Sequence, residues 1–98
     1  MYERDPFYLA YVRSFCCLIC GRSGVDAHHQ PRAGHGAMGI KVSDYRAVPL
    51  CRCCHDAYGR ESRAIYLRND VDIEAVICDL IAGYFFGQSV AYVKRAGA

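Results

Sequence analysis

No stretch of this 98-residue chain is apolar for anything near the ~20 residues that span a bilayer, which excludes a membrane-spanning helix. The opening residues, Met1-Tyr2-Glu3-Arg4-Asp5, lack the basic-then-apolar pattern of a secretory leader, so none is expected. Charge of one sign is not in large excess: twelve Lys and Arg stand against ten Asp and Glu, for a net charge of +2. With 53% hydrophobic residues, that balance argues for a folded chain rather than a disordered one. There is no internal repeat and no low-complexity segment. The length allows one domain, 1–98, whose apolar core is small enough to gain from a metal or from disulfides.

Cysteine is what the chain has in quantity. Seven are present: Cys16, Cys17 and Cys20, then Cys51, Cys53 and Cys54, and Cys78 alone. An odd count without a leader argues against a secreted disulfide framework and for metal binding in a reducing, cytoplasmic compartment. Charge is also unevenly spread. Arg13 to Arg68 carries nine basic residues and four acids, whereas Asn69 onward carries two and four. Ten of the twelve basic residues are Arg, whose planar fork suits phosphate oxygens.

Local patterns predict an α+β chain. Asp5-Pro6 opens a short amphipathic helix ending near Ser14. Val25 to His28 and Ala47 to Leu50 read as short strands. Between them, residues 30–44 carry Pro31, Gly34, Gly36 and Gly39 without a regular period, and so read as a long loop. Cys51 to Tyr58 turns into a helix. A helical tail, about 62–86, follows, with Asp72 capping the stripe Ile73, Val76, Ile77, Leu80 and Ile81. Cys78 is placed on the core side of that stripe, and 94–98 are expected to fray.

Cys17-x2-Cys20 and Cys51-x2-Cys54 form a paired set. A two-residue spacer lets one turn aim both sulfurs at a single ion, and two such turns build a tetrahedral structural zinc site. Cys16 and Cys53 each adjoin a ligand and could substitute for it, but Cys17 and Cys51 give the regular spacing. A thiol redox role finds no surrounding βαβ pattern. The 30 residues between Cys20 and Cys51 exceed the usual zinc-ribbon gap, so something else is inserted there.

That insertion carries His28-His29, and His55 directly follows the last knuckle. Adjacent strand residues point to opposite sides, so one ring can hold a metal while the other faces a water or substrate. His55, early in its helix, can close on the same metal as His28. The other His can take a proton from an attacking water.

The order Cys-x2-Cys, His-His, Asp, Val-Pro-Leu-Cys-x2-Cys-His resembles the HNH endonucleases with an embedded zinc site. It is most similar to the small phage and prophage HNH proteins related to the RecA-dependent phage nuclease. The matching stretches are Arg4 to Val12, Cys17 to Gly21, Ala27 to His29, Gly36 to Asp44 and Ala47 to Asp56. The resemblance implies a ββα-metal (His-Me finger) core, about residues 15–60, stapled by a structural zinc on Cys17, Cys20, Cys51 and Cys54 and flanked by N- and C-terminal helices. It implies that His28 and His55 hold a catalytic divalent ion, Mg²⁺ or Mn²⁺, with Ni²⁺ or Zn²⁺ as chemically suitable substitutes. His29 is implied as the base that activates water, and Asp44 as the residue that holds the loop orienting it.

The function so implied is metal-dependent hydrolysis of DNA phosphodiesters, leaving 5′-phosphate and 3′-hydroxyl ends, with weak sequence preference. Arg32, Lys41, Arg46, Arg52, Arg60 and Arg63 are the candidates for phosphate contact. DNA is the expected partner in a bacterial or phage-infected cell, with specificity supplied by a recombination or phage protein. Oligomeric state is left open. The chain departs from the family at Gly59, where relatives commonly carry a further His four residues after the one matching His55. Asp56, Glu61 or His35 could substitute, or fewer ligands could suffice. Gly59 equally favours a second reading, a zinc-stapled module that binds DNA or a protein partner without cutting.

Overall fold

A computed structural model describes residues 3–33 and 41–97. His35, and with it the glycines at 34, 36 and 39 of the expected loop, lies outside the described residues. Asp5 opens helix α1 (Pro6–Val12): its carboxylate accepts from the Tyr8 N–H at 3.0 Å, and Pro6 occupies a first-turn position where no N–H is needed. Tyr8 and Val12 are the side chains that α1 buries.

Strand β1 (Val25–His29) pairs antiparallel with β2 (Ala47–Cys51), with Val25 opposite Cys51 and His29 opposite Ala47. β2 is buried along its whole length, with Ala47, Val48 and Leu50 at the centre of the core. A single 3-10 turn, Asp44–Arg46, leads into it. Directly after β2 the chain turns into α2 (Arg52–Glu61), which packs back against both strands. α3 (Ala64–Arg68) and α4 (Ile73–Phe86) complete a small α+β fold of one two-stranded sheet and four α-helices among the described residues.

α1 and α4 pack against each other and against β2. Asp72 accepts from the Ala75 N–H at 3.2 Å, and α4 buries Ile73, Val76, Ile77 and Leu80 as the stripe predicts. Gly87 closes the helix in the left-handed region at φ 68°, where a side chain is strained. Gly83 is needed for space: a Cβ there would sit 2.5 Å from the Tyr11 hydroxyl oxygen, so α1 approaches α4 across a missing side chain.

Two sequence expectations are corrected. Cys78 is exposed, because at ~100° per residue it rotates away from the Ile73–Ile77–Leu80 stripe. The segment after α4 is held: Arg95 pairs with Phe15, Cys16 N–H donates to the Lys94 carbonyl at 2.7 Å, and Val93 is buried. The Arg95 guanidinium also covers the Phe15 ring, 4.6 Å from its centroid. Among the described residues no helix is long and apolar enough to cross a membrane.

Candidate metal centres

The two cysteine knuckles meet at one corner of the sheet. The first sits in the turn before β1, where the Gly21 N–H bonds the Cys17 carbonyl and Gly21 takes φ 78°. The second straddles the end of β2 and the start of α2, with Cys51 as the helix cap. The strand register places Val25 opposite Cys51 and so brings the turns together. The sulfurs of Cys17, Cys20, Cys51 and Cys54 lie within 4.8 Å of one another, and this cluster could hold a metal ion such as zinc. Four thiolates ~2.3 Å from one ion stand roughly 3.8 Å apart at tetrahedral angles, which the cluster accommodates. Burial opposes ionisation of Cys17, but the N–H groups of Cys20, Cys51 and Ile19 outweigh it and bring its pKa down to about 7. Burial and the neighbouring thiols push Cys54 upward instead. Thiols packed this closely cannot all ionise without a cation among them.

β1 and α2 position the histidines. His28 is buried, and its Nδ1 lies 3.1 Å from Nε2 of His55 in the first turns of α2. The outer nitrogen of each ring is engaged. His28 Nε2 is 3.1 Å from Gln30 Oε1, and His55 Nδ1 is 3.2 Å from Asp26 Oδ2. Both partners are acceptors, so both outer nitrogens carry their ring's proton. When both rings are neutral, the two nitrogens that face each other carry lone pairs. Two imidazoles ligating one ion at ~2.1 Å bring their nitrogens to roughly 3 Å at a right angle, so this donor set fits a shared divalent cation. Burial first, and His55 second, lower the His28 pKa to about 4, which keeps its ring neutral and able to ligate. The Tyr58 ring packs on His28 with centroids 4.5 Å apart.

His29 points to the other side of β1. Its Nε2 donates to Asp44 Oδ1 at 2.8 Å, leaving Nδ1 as the unprotonated nitrogen. Asp44 is 2% exposed. Burial raises its pKa, but the Asp5 N–H on Oδ2 at 2.6 Å and the His29 ring outweigh this and hold it below the ordinary carboxylate range. The expectation that Asp44 acts on the loop is thereby refined: it bonds the ring of His29 itself and anchors the chain just before α1.

The arginines divide. Arg46 is corrected as a phosphate contact: it is 8% exposed, donates to both oxygens of Glu74 at 2.9 and 2.7 Å, and bonds the Gln30 carbonyl through Nε. Arg63 donates to the Pro31 carbonyl and stands 3.7 Å from Glu74. Arg52 lies beside the histidine pair, bridging Asp26 and Asp56. Arg32, Lys41 and Arg60 are exposed. Beside Gly59, one turn beyond His55, an added Cβ would meet nothing within 4 Å. Among the described residues only the cysteine cluster brings three or more metal-ligating side chains together.

Sequence reasoning missed Asp26, Gln30, Tyr58 and Tyr66. The signal for the first two is the period of two: 26, 28 and 30 share one side of the strand's line. The tyrosines became partners only through the packing of α2 and α3.

These features define a small α+β protein with a four-cysteine cluster able to hold a metal. Its family is the one described as protein of unknown function (DUF968), to which the chain belongs by a match over residues 2–76. That span contains every cysteine and histidine ligand candidate above. The uncharacterized protein YdfU of Escherichia coli (strain K12) is 39% identical over 49 residues, which are 50% of this chain and 14% of that protein. No solved structure matches the chain.

Proposed function

We propose that the chain is a metal-dependent DNA endonuclease of the HNH type, built on a ββα-metal core. The observation that carries this reading is the approach of the His28 and His55 ring nitrogens, 3.1 Å apart, next in sequence to a His29 held by a buried carboxylate. A divalent ion held by His28 and His55 would polarise the scissile phosphate and stabilise the leaving 3′ oxygen. His29 supplies the base. With its Nε2–H held in a hydrogen bond to Asp44, Nδ1 would take a proton from water, and the Asp44 charge would stabilise the imidazolium that forms. Arg52, paired with the Asp26 carboxylate that also bonds His55, is a candidate cation for a neighbouring phosphate. The cysteine cluster, loaded with zinc, would hold the loop before β1 and the start of α2 in register.

Nicking of supercoiled plasmid by zinc-loaded protein tests the proposal. Cutting in Mg²⁺, Mn²⁺ or Ni²⁺ that is lost in His29→Ala supports it. Intact plasmid with every ion, from folded and zinc-containing protein, overturns it. Gly59 favours a second reading, a zinc-stapled module that binds DNA or a protein partner without cutting. Salt-dependent DNA binding without uptake of a second ion supports that reading.

A further inference from the structure

Behind His28 lies a buried polar network that the proposed chemistry does not itself use. Gln30 is completely buried. Its amide nitrogen donates to the Pro31 carbonyl at 3.2 Å and to the Tyr58 hydroxyl at 3.1 Å. The Pro31 carbonyl can only accept, so the amide orientation is determined. The amide oxygen must therefore face His28 Nε2, at 3.1 Å, and it also accepts from the Tyr66 hydroxyl at 2.7 Å. Both amide hydrogens and both oxygen lone pairs are used. A buried amide satisfied on all sides cannot rotate without abandoning several bonds at once.

We propose that Gln30 is a positioning residue for the histidine pair, resting on the reading of that pair as a metal site. Its oxygen selects the Nε2–H tautomer of His28 and so turns the bare Nδ1 toward His55. Asp26 does the same for His55 from the other side, through a carboxylate half exposed to solvent. The two supports differ in kind. Asp26 brings a charge that the Arg52 side chain partly neutralises. Gln30 brings a neutral dipole locked by two tyrosines from α2 and α3. The packing of these helices is thereby tied to the direction of one ligand lone pair.

The test uses the full, zinc-loaded chain. Ring-nitrogen NMR reads the His28 tautomer without a second ion, and calorimetry with Ni²⁺ reads affinity, with His55→Ala as the control lacking the site. Wild type is expected in the Nε2–H form. Gln30→Glu keeps an acceptor facing His28, although its second oxygen no longer donates to the Pro31 carbonyl, and is expected to keep the tautomer. Gln30→Leu is expected to mix the tautomers and weaken Ni²⁺ about 10–100-fold. A Gln30→Leu protein that folds and keeps wild-type tautomer and affinity overturns the proposal. So does a folded wild type carrying the His28 proton on Nδ1, which needs no variant. If wild type takes up no Ni²⁺ beyond the His55→Ala control, the metal reading falls, while the tautomer comparison still decides the role of Gln30.

Discussion

The four cysteines and the two facing histidines both bring atoms of metal-ligating type together near the start of α2, and they are built oppositely. The cysteines close on one another from two segments, and their four sulfurs are enough to fill a tetrahedral shell. The histidines contribute one nitrogen each, and their remaining ring nitrogens are tied to Gln30 and Asp26. The first arrangement leaves no room for a substrate ligand, whereas the second leaves most of an ion's shell open. A closed shell suits structure and an open one suits chemistry. The comparison teaches that ligand number, more than ligand proximity, separates a site that holds a fold from one that can act.

Disabling each cluster in turn is the strongest way to break that comparison. Zinc contributes roughly 10–16 kcal/mol of apparent folding energy in isolated fingers, against about 5–15 kcal/mol of net stability for a whole domain. Chelation of the zinc-loaded protein, or Cys17→Ser, is therefore expected to abolish the cooperative thermal transition seen by circular dichroism. His55→Ala is expected to leave that transition within a few degrees. A chelated protein that melts as before would deny the cysteines their structural role.

The next effect is kinetic. His29→Ala is expected to slow single-turnover plasmid nicking about 10²–10⁴-fold, the usual contribution of a positioned base, without changing the melting temperature. Equal rates in the two proteins would remove His29 from the chemistry.

A smaller effect sharpens the contrast between buried and exposed charge. Glu74→Gln leaves the buried Arg46 guanidinium short of a partner and is expected to cost about 1–3 kcal/mol by urea denaturation. Glu61→Gln, which breaks the exposed pair with Arg68, is expected to cost under about 1 kcal/mol. The hydrogen bonds from Arg46 lower the Glu74 pKa in the folded chain. Below its ordinary pKa of about 4.3 the unfolded chain then binds more protons than the folded one. The stability gained from this pair is therefore present above that pH and is lost as pH falls through the folded value. Glu74→Gln should flatten the acid limb of the stability profile, and an unchanged limb would deny the pair its role.

The smallest effect is at Gly59. Helical glycine costs about 0.5–1 kcal/mol against alanine, and the open space around its Cβ position removes any steric penalty. Gly59→Ala is expected to raise the melting temperature by a few degrees. Gly59→His adds a ligand one turn from His55 and is expected to tighten Ni²⁺ binding. Unchanged affinity would mean that position 59 faces away from the ion.

Much of the fold was legible because its signals are local. Asp5-Pro6 and Asp72 mark helix starts by capping chemistry, and Ile73, Val76, Ile77 and Leu80 mark a buried helix face by period. Arg46 was misjudged because an arginine in sequence looks solvated. Only the return of α4 past the 3-10 turn supplies Glu74 and makes its burial tolerable. Cys78 was misjudged by counting it with an apolar stripe from which it is rotated away. The 94–97 stretch was misjudged because its partners, Ser14 to Cys16, lie some eighty residues earlier.

The sequence by itself pointed to the cysteine cluster through the x2 spacing of each knuckle, and the fold decided for Cys17 and Cys51 over the neighbouring Cys16 and Cys53. The sequence determined that His28 and His29 face apart, because a strand alternates whatever surrounds it. Tertiary structure alone decided that His28 Nδ1 meets His55 Nε2 and that Asp44 reaches the His29 ring. It alone closed a buried amide between two tyrosines behind the pair. Those relations depend on hydrogen-bond direction between elements distant in sequence, and only packing sets the distance and angle at which such groups meet.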